Sequence, residues 1–421
     1  MNQRVLVGLA LVGLLSLSGC ASFGRGVAEA FLEKQEAKDT RACEVVGKSF
    51  AGVRPHLNTE DGKMKLLMVH GVGSHLPGYS TRFREKLAQE LALDARATQF
   101  KTVHLTDPLN TDKDLGELQI HRLLDKQQNQ ELLFYELTWS AITEPDKKVL
   151  SYDNSGAYSF RRAEVNDLMK KFSNDTGPDP IIYLGERRED ILIAFVQSFC
   201  WMINGTWAQL PNEAKQACTF DDLEAVNNLR NDQYAFVSHS LGSRITIDGL
   251  QRFATFFLDS TLRPELSRPQ AMLDILRQKN ITIYMMSNQL PMLQLGRKLP
   301  DVHDQRAAYC YPEGELYGQH MVKKTQLIAF SDPNDLLSYA VPQSFVDRYL
   351  DSRLCFDVTN ININVAKIFD AFGLGTMANP LDAHVNYDSD DRVVAMIAKG
   401  IGKRQSAEIV KQRCDWVRTI D

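Results

Sequence analysis

The sequence has no excess of positive charge. Its 421 residues include 48 lysines and arginines against 53 aspartates and glutamates, which gives a formal net charge of −5. Proteins that bind nucleic acid neutralise phosphates with clustered basic side chains, so nucleic acid is not an expected partner. Repeats and low-complexity tracts are also absent. With 44% hydrophobic and 24% charged residues, the composition excludes a disordered, collagen-like or coiled-coil protein.

Long hydrophobic runs are absent from the body of the chain. The most apolar internal stretch, residues 191–203, is 13 residues long, whereas a membrane-spanning helix needs about 20. This stretch predicts a buried helix. A lid helix, or a helix that faces a membrane surface, is the alternative.

The N-terminus carries an apolar segment typical of a targeting sequence. Arg4 precedes an 11-residue apolar run, residues 5–15, and the sequence LSGC follows at residues 17–20. This arrangement resembles the signal peptide of bacterial lipoproteins, which implies cleavage before Cys20 and lipidation of that cysteine. A simple secretory signal is the alternative. The resemblance therefore implies a lipid anchor in the cell envelope. Because Ala21 and not aspartate follows the cysteine, we expect that anchor on the outer membrane if the source is Gram-negative.

The sequence predicts three successive regions of the chain. Residues 1–19 are the predicted signal peptide, residues 20–62 a weakly patterned tether, and residues 63–421 a globular domain. The lipidated cysteine anchors the predicted mature protein to the membrane, since acyl chains bury many CH₂ groups.

Metal-binding cysteine patterns are absent. No CxxC pair occurs and no Cys/His cluster has zinc spacing, so a structural metal is not expected. Without Cys20, six of the seven cysteines remain, which allows up to three disulfides in an oxidising compartment. The sequence does not choose among the pairings, but proximity favours Cys200 with Cys218 and Cys310 with Cys355.

Short apolar runs alternate with amphipathic segments along the domain. The predicted strands are residues 65–69, 132–139, 181–184, 234–237, 281–286 and 326–330, and the predicted helices include 81–93, 243–258 and 391–399. Alternating strands and helices are typical of an α/β fold with a mostly parallel sheet.

One strand-to-helix junction carries a serine between small residues. The sequence SHSLG, residues 238–242, follows an apolar strand and precedes an amphipathic helix. It resembles the nucleophile elbow G-x-S-x-G of the α/β-hydrolase superfamily, although Ser238 replaces the first glycine. The resemblance implies an α/β-hydrolase fold with Ser240 as nucleophile. An ordinary turn in which Gly242 only helps packing is the alternative.

A serine hydroxyl needs a base, and the base needs an orienting acid. The resembling family has the chain order serine, acid, histidine. Asp335, followed by two leucines, matches the lipase pattern best, and Asp332 is the alternative acid. His384 is the last histidine and lies just before the final predicted helix, so it is the expected base. His303 and His320 are expected to be solvated.

An oxyanion hole needs two backbone N–H donors. The sequence His70-Gly71-Val72-Gly73 resembles the HG-x-G form of the family's oxyanion loop, which implies Val72 and Leu241 as donors. A plain glycine turn is the alternative.

The resemblance covers roughly residues 63–405 and implies an inserted subdomain at about residues 110–230. The expected function is a membrane-anchored serine hydrolase, similar to lipases, phospholipases and carboxylesterases, that cleaves carboxylic esters, of lipids above all, without a cofactor. A thioesterase or amidase of the same fold, or a non-catalytic lipoprotein that binds a partner, is the alternative. The sequence predicts no oligomeric state.

Overall fold

A computed structural model describes residues 42–57, 63–155, 162–220, 223–260, 267–370, 376–402 and 406–419. The predicted signal peptide, Cys20 and most of the predicted tether lie outside these ranges.

Strands and helices alternate along the described chain. The strands are β1 (Cys43–Gly47), β2 (Phe50–Ala51), β3 (Met64–Val69), β4 (Asp94–Asp107), β5 (Asn110–Leu124), β6 (Glu131–Thr138), β7 (Ala214–Gln216), β8 (Gln233–His239), β9 (Asn280–Met286), β10 (Lys324–Ser331), β11 (Phe356–Ile363), β12 (Ile368–Asp370), β13 (Thr376–Ala378), β14 (Gly400–Ile401) and β15 (Cys414–Thr419). The helices are α1 (Thr81–Leu91), α2 (Glu144–Lys147), α3 (Ser151–Ser155), α4 (Glu164–Thr176), α5 (Pro178–Leu184), α6 (Arg188–Asn204), α7 (Leu223–Asn231), α8 (Leu241–Ser260), α9 (Ser267–Leu276), α10 (Leu290–Leu293), α11 (Arg306–Cys310), α12 (Gln343–Tyr349), α13 (Pro380–Val385), α14 (Asp391–Lys399) and α15 (Glu408–Arg413).

A central sheet of 11 strands has the order β15-β1-β11-β10-β9-β8-β3-β6-β5-β4-β7. Its middle six strands, from β11 to β6, run parallel to one another. The predicted α/β class with a mostly parallel sheet is therefore confirmed. Because parallel strands end at the same edge, the loops after β3, β8, β9 and β10 meet there, and we call this the carboxyl edge.

Helices cover both faces of the sheet. Side chains of β3 alternate between two apolar clusters, with Leu67 and Val69 in one and Leu66 and Met68 in the other. The first cluster includes α6 and α8, and the second includes α1 and α14. All six residues of β3 are buried, as expected of a strand that is covered on both faces.

The apolar stretch 191–203 lies within α6 and is buried in the first cluster. The expected buried helix is confirmed, and the lid or membrane-facing alternative is wrong for this conformation, since Ile191, Phe195 and Ile203 are fully covered. Across the described ranges, no helix combines the length and hydropathy that a membrane crossing needs.

Three expectations about the chain's organisation need correction. The predicted strand 181–184 is the helix α5, because Pro178 and Pro180 fit a first helical turn and four apolar residues do not by themselves distinguish strand from helix. The predicted start of the domain at residue 63 is too late, because β1 pairs with β11 and β15. The predicted insertion of residues 110–230 is too wide, because β5 and β6 belong to the central sheet.

Three disulfides join the six remaining cysteines. The pairs Cys200–Cys218 and Cys310–Cys355, favoured by proximity, are present. The third joins Cys43 in β1 to Cys414 in β15, across a sequence separation of 371 residues.

Candidate active site

Ser240 occupies a tight turn between β8 and α8. Its φ is +54°, a left-handed conformation that costs a non-glycine residue about 1–3 kcal/mol. Its N–H donates to the carbonyl of Met286, which fixes the turn against the next strand. A Cβ on Gly242 would overlap the carbonyl oxygens of Val69 and His70, so only glycine fits there. These are the steric demands of a nucleophile elbow.

Asp335 and His384 are paired at the carboxyl edge. Asp335 lies in the loop after β10 and His384 lies in α13. The Nδ1 of His384 is 3.0 Å and 3.1 Å from the two carboxylate oxygens. Because Nδ1 faces a carboxylate, it carries the proton and leaves Nε2 as the basic atom. Burial raises the pKa of Asp335, but the hydrogen bond and charge of His384 outweigh it, so the pKa lies below its ordinary value.

Asp332, the alternative acid, has a different role. Its Oδ2 accepts the N–H groups of Val365 and Ala366 at 2.7 and 3.2 Å, and its Oδ1 accepts that of Asn334. It therefore ties two loops together, and within the described residues it forms neither a hydrogen bond nor an ion pair with His384.

The serine and the histidine do not form a hydrogen bond. Ser240 Oγ is buried, and among the described residues neither it nor His384 Nε2 has a hydrogen-bond partner. His384 nevertheless lies beside the turn, because Nε2 of His239, the residue before Ser240, lies 2.8 Å from the His384 carbonyl oxygen. The rings of His239 and His384 are 5.1 Å apart. Burial lowers the pKa of His239 to about 3, so its ring stays neutral and donates to that carbonyl.

The predicted oxyanion loop packs directly on the serine. A Cβ on Gly71 would lie 2.7 Å from Ser240 Cβ, so glycine is required at this contact. The Gly73 N–H donates to Asp179 at 2.6 Å. Within the described residues, the N–H groups of Val72 and Leu241 have no acceptor, and Leu241 is the first residue of α8. Both predicted oxyanion donors are thus free, one directly after Ser240 and one in the loop that packs on it.

His70 holds the shape of this loop. Its Nε2 accepts the Trp139 N–H at 3.1 Å, and its Nδ1–H donates to the Gly71 carbonyl at 2.8 Å. The ring stacks between His75 and Trp139. Burial lowers the pKa of His70 well below its usual range, so this neutral tautomer persists.

Carboxylates of the segment α4–α5 clamp the loop from outside. Asp179 and Asp175 accept the N–H groups of Gly73 and Ser74 respectively, and both carboxylates pair with Lys147. Two carboxylates and one lysine thus hold the predicted oxyanion loop in place beside Ser240.

Two residues of the site were not identified from the sequence. Ser287 contacts both Asp335 and His384, and the Tyr387 hydroxyl lies 3.4 Å from Asp335. Only its position could have marked Ser287 as a candidate, because it directly follows a predicted strand and α/β sites form at strand carboxyl ends. The expectation that His320 is solvated is wrong, because it is buried between the carbonyls of Tyr317 and Arg277.

Comparison of the chain with protein-family models, with curated proteins and with solved structures found no match. In the described ranges, no three His, Cys, Asp or Glu side chains come together as a metal site.

Proposed function

We propose that the chain is a serine hydrolase of the α/β-hydrolase fold that cleaves carboxylic esters through an acyl-enzyme on Ser240. The observation that carries the proposal is the left-handed Ser240 turn at the end of β8, beside the Asp335–His384 pair. The chain order serine, aspartate, histidine and the loop after β3 that packs on the serine support the same fold.

Each group has a defined step. His384 Nε2 takes the Ser240 proton while Oγ attacks the ester carbonyl, and the Val72 and Leu241 N–H groups stabilise the oxyanion. The imidazolium then protonates the leaving alcohol. Water attacks the acyl-enzyme with His384 again as base, which restores Ser240. Asp335 holds the tautomer and stabilises the imidazolium.

Exposed apolar side chains around the carboxyl edge support a lipid as the ester. Leu76 follows the oxyanion loop, Leu336 follows Asp335, Val385 follows His384, and Leu295 follows α10. An apolar rim favours substrates with acyl chains and lies where such chains would enter. We further propose that a lipidated Cys20 holds the enzyme at the membrane, on the outer membrane if the source is Gram-negative.

Hydrolysis of soluble p-nitrophenyl esters of increasing chain length tests the proposal. Ser240→Ala, His384→Ala and Asp335→Ala should each lower kcat on the order of 10⁴-fold or more. Ser198→Ala is the matched control, since its buried hydroxyl donates only to the Ala194 carbonyl in α6. Equal activity in the wild type and Ser240→Ala would contradict the proposal.

One observation favours a second function, that of a non-catalytic lipoprotein that binds a partner. Ser240 Oγ is inaccessible and has no bond to His384. A folded wild type that remains inactive on every ester, with and without detergent, would support this alternative.

A further inference from the structure

We propose that Ser287 is a positioning residue that fixes the tautomer and orientation of His384 against Asp335. Ser287 directly follows β9, and β9 is the neighbour of β8, the strand that leads to Ser240. The expected loss of activity without Ser287 rests on the proposed function, whereas the expected change in the hydrogen bonds of His384 does not.

The Ser287 hydroxyl bridges the acid and the base. It donates to Asp335 Oδ2 at 2.6 Å, and its oxygen lies 2.8 Å from His384 Nδ1. The side chain is completely buried, so water does not compete for either bond. Both bonds are shorter than the direct contacts of 3.0 and 3.1 Å between Nδ1 and the carboxylate.

The proton count fixes the direction of these bonds. A serine hydroxyl has one proton, and Ser287 gives it to the carboxylate, which has none to offer. Its oxygen therefore presents a lone pair to Nδ1. Since Nδ1 then faces only acceptors, it must carry the ring proton, and Nε2 is left unprotonated. The three side chains thus form a closed cycle that selects the tautomer required of a general base.

The backbone of Ser287 indicates that its side chain is required. Its φ is +51°, a conformation that glycine adopts without strain. Its N–H donates to the Phe330 carbonyl of β10 at 3.2 Å, so Ser287 is anchored to the strand that leads to Asp335. A strained serine at a position that would suit glycine is typical of a residue retained for its side chain.

The other donors to Asp335 do not replace Ser287. The Leu337 N–H holds Oδ1 at 2.9 Å but does not reach the imidazole. The Tyr387 hydroxyl is 3.4 Å from Oδ2 and also accepts the Asp332 N–H at 2.6 Å. Among the described residues, only Ser287 contacts both members of the pair through its hydroxyl.

Two variants and two readouts test the proposal in the full chain. Ser287→Ala removes the hydroxyl, and Ser287→Gly removes it while relieving the backbone strain. Both should lower kcat about 10- to 100-fold with KM changed less than about 2-fold. Ser198→Ala should match the wild type in both constants.

The second readout needs no activity. The His384 Nδ1 proton should give a downfield proton resonance that is absent from His384→Ala, displaced or lost in both Ser287 variants, and unchanged in Ser198→Ala. If the enzyme hydrolyses no ester but the resonance responds in this way, the proposed function fails and the positioning role stands. If both Ser287 variants keep the wild-type resonance, or if an active enzyme keeps its full kcat in both, Ser287 does not position the pair.

Discussion

Backbone conformation distinguishes two residues at the centre of the site. Ser240 and Ser287 have φ values of +54° and +51°, although neither is a glycine. Each directly follows a parallel strand, where the chain must turn sharply and send a side chain towards the carboxyl edge. Two strained backbone positions therefore lie at the proposed nucleophile and at the residue proposed to position its base.

The elbow also depends on a glycine that does no chemistry. Gly242→Ala should lower the free energy of unfolding by about 1–3 kcal/mol, because the new methyl group would overlap the carbonyl oxygens of Val69 and His70. Gly318→Ala is the control, since a Cβ there meets nothing within 4 Å. Urea unfolding of both variants measures the difference, and equal stabilities would show that the turn tolerates a larger residue.

Candidate site residues could be proposed from the sequence where their signal is local. Ser240 was proposed as the nucleophile because the motif around it is contiguous in sequence, and His384 was proposed as the base because it is the last histidine after the acid. The choice between Asp335 and Asp332 stayed open, since it depends on which carboxylate meets α13 in space. Ser287 gave no distinctive signal, because a buried serine after a strand resembles any other until its partners are known.

At the scale of elements, the helices α4 and α5 hold the predicted oxyanion loop through two carboxylates. Asp179 of α5 is fully buried and binds both the Gly73 N–H and Lys147. Asp175 of α4 binds Ser74 and the same lysine, but 41% of its side chain is exposed. Both carboxylates thus bind a loop N–H and Lys147, but Asp175 does so over longer distances and with more exposure to solvent.

This difference predicts unequal effects of the same substitution. Asp179→Ala should destabilise the protein by about 3–5 kcal/mol, because it leaves Lys147 buried without its closest partner. Asp175→Ala should cost less than about 1 kcal/mol, as is typical of solvated pairs. Urea unfolding compares the two variants. An equal loss in the free energy of unfolding would show that burial does not determine how much each carboxylate contributes to stability.

The type of an element, helix or strand, was predictable from the pattern of apolar residues where that pattern was long. The stretch 191–203 was interpreted as a buried helix and is one. The four-residue run 181–184 was misinterpreted as a strand, because so short a segment carries no usable periodicity. The pairing of β1 with β11 and β15 joins residues hundreds of positions apart, so the sequence alone placed the domain's start too late.

At the scale of the whole molecule, several neutral histidines are buried in the fold. Burial lowers the pKa of His121 to about 3, helped by the charge of Arg84, and the pKa of His239 likewise to about 3. The pKa in an unfolded chain is about 6.5. Between these pH values the unfolded state binds more protons than the folded state. The contribution of each neutral histidine to the free energy of unfolding is therefore complete above about pH 6.5 and falls as the pH is lowered.

Acidification should therefore weaken the fold before the carboxylates protonate. The free energy of unfolding should fall by about 1–2 kcal/mol for each such histidine between about pH 7 and about pH 5. In His121→Gln, the free energy of unfolding should fall by about 1–2 kcal/mol less than in the wild type, because one histidine no longer contributes. Urea unfolding at the two pH values measures both quantities, and stability that is unchanged or higher at the lower pH would contradict the assignment.

The central claim is that Ser240 is an activated nucleophile. The most direct test treats the purified protein with a fluorophosphonate, with and without detergent, and locates the adduct by mass spectrometry of its peptides. We predict one adduct per chain, on Ser240, that is lost in Ser240→Ala and His384→Ala and retained in Ser198→Ala. An adduct on another residue, or none on the folded wild type under either condition, would contradict the claim.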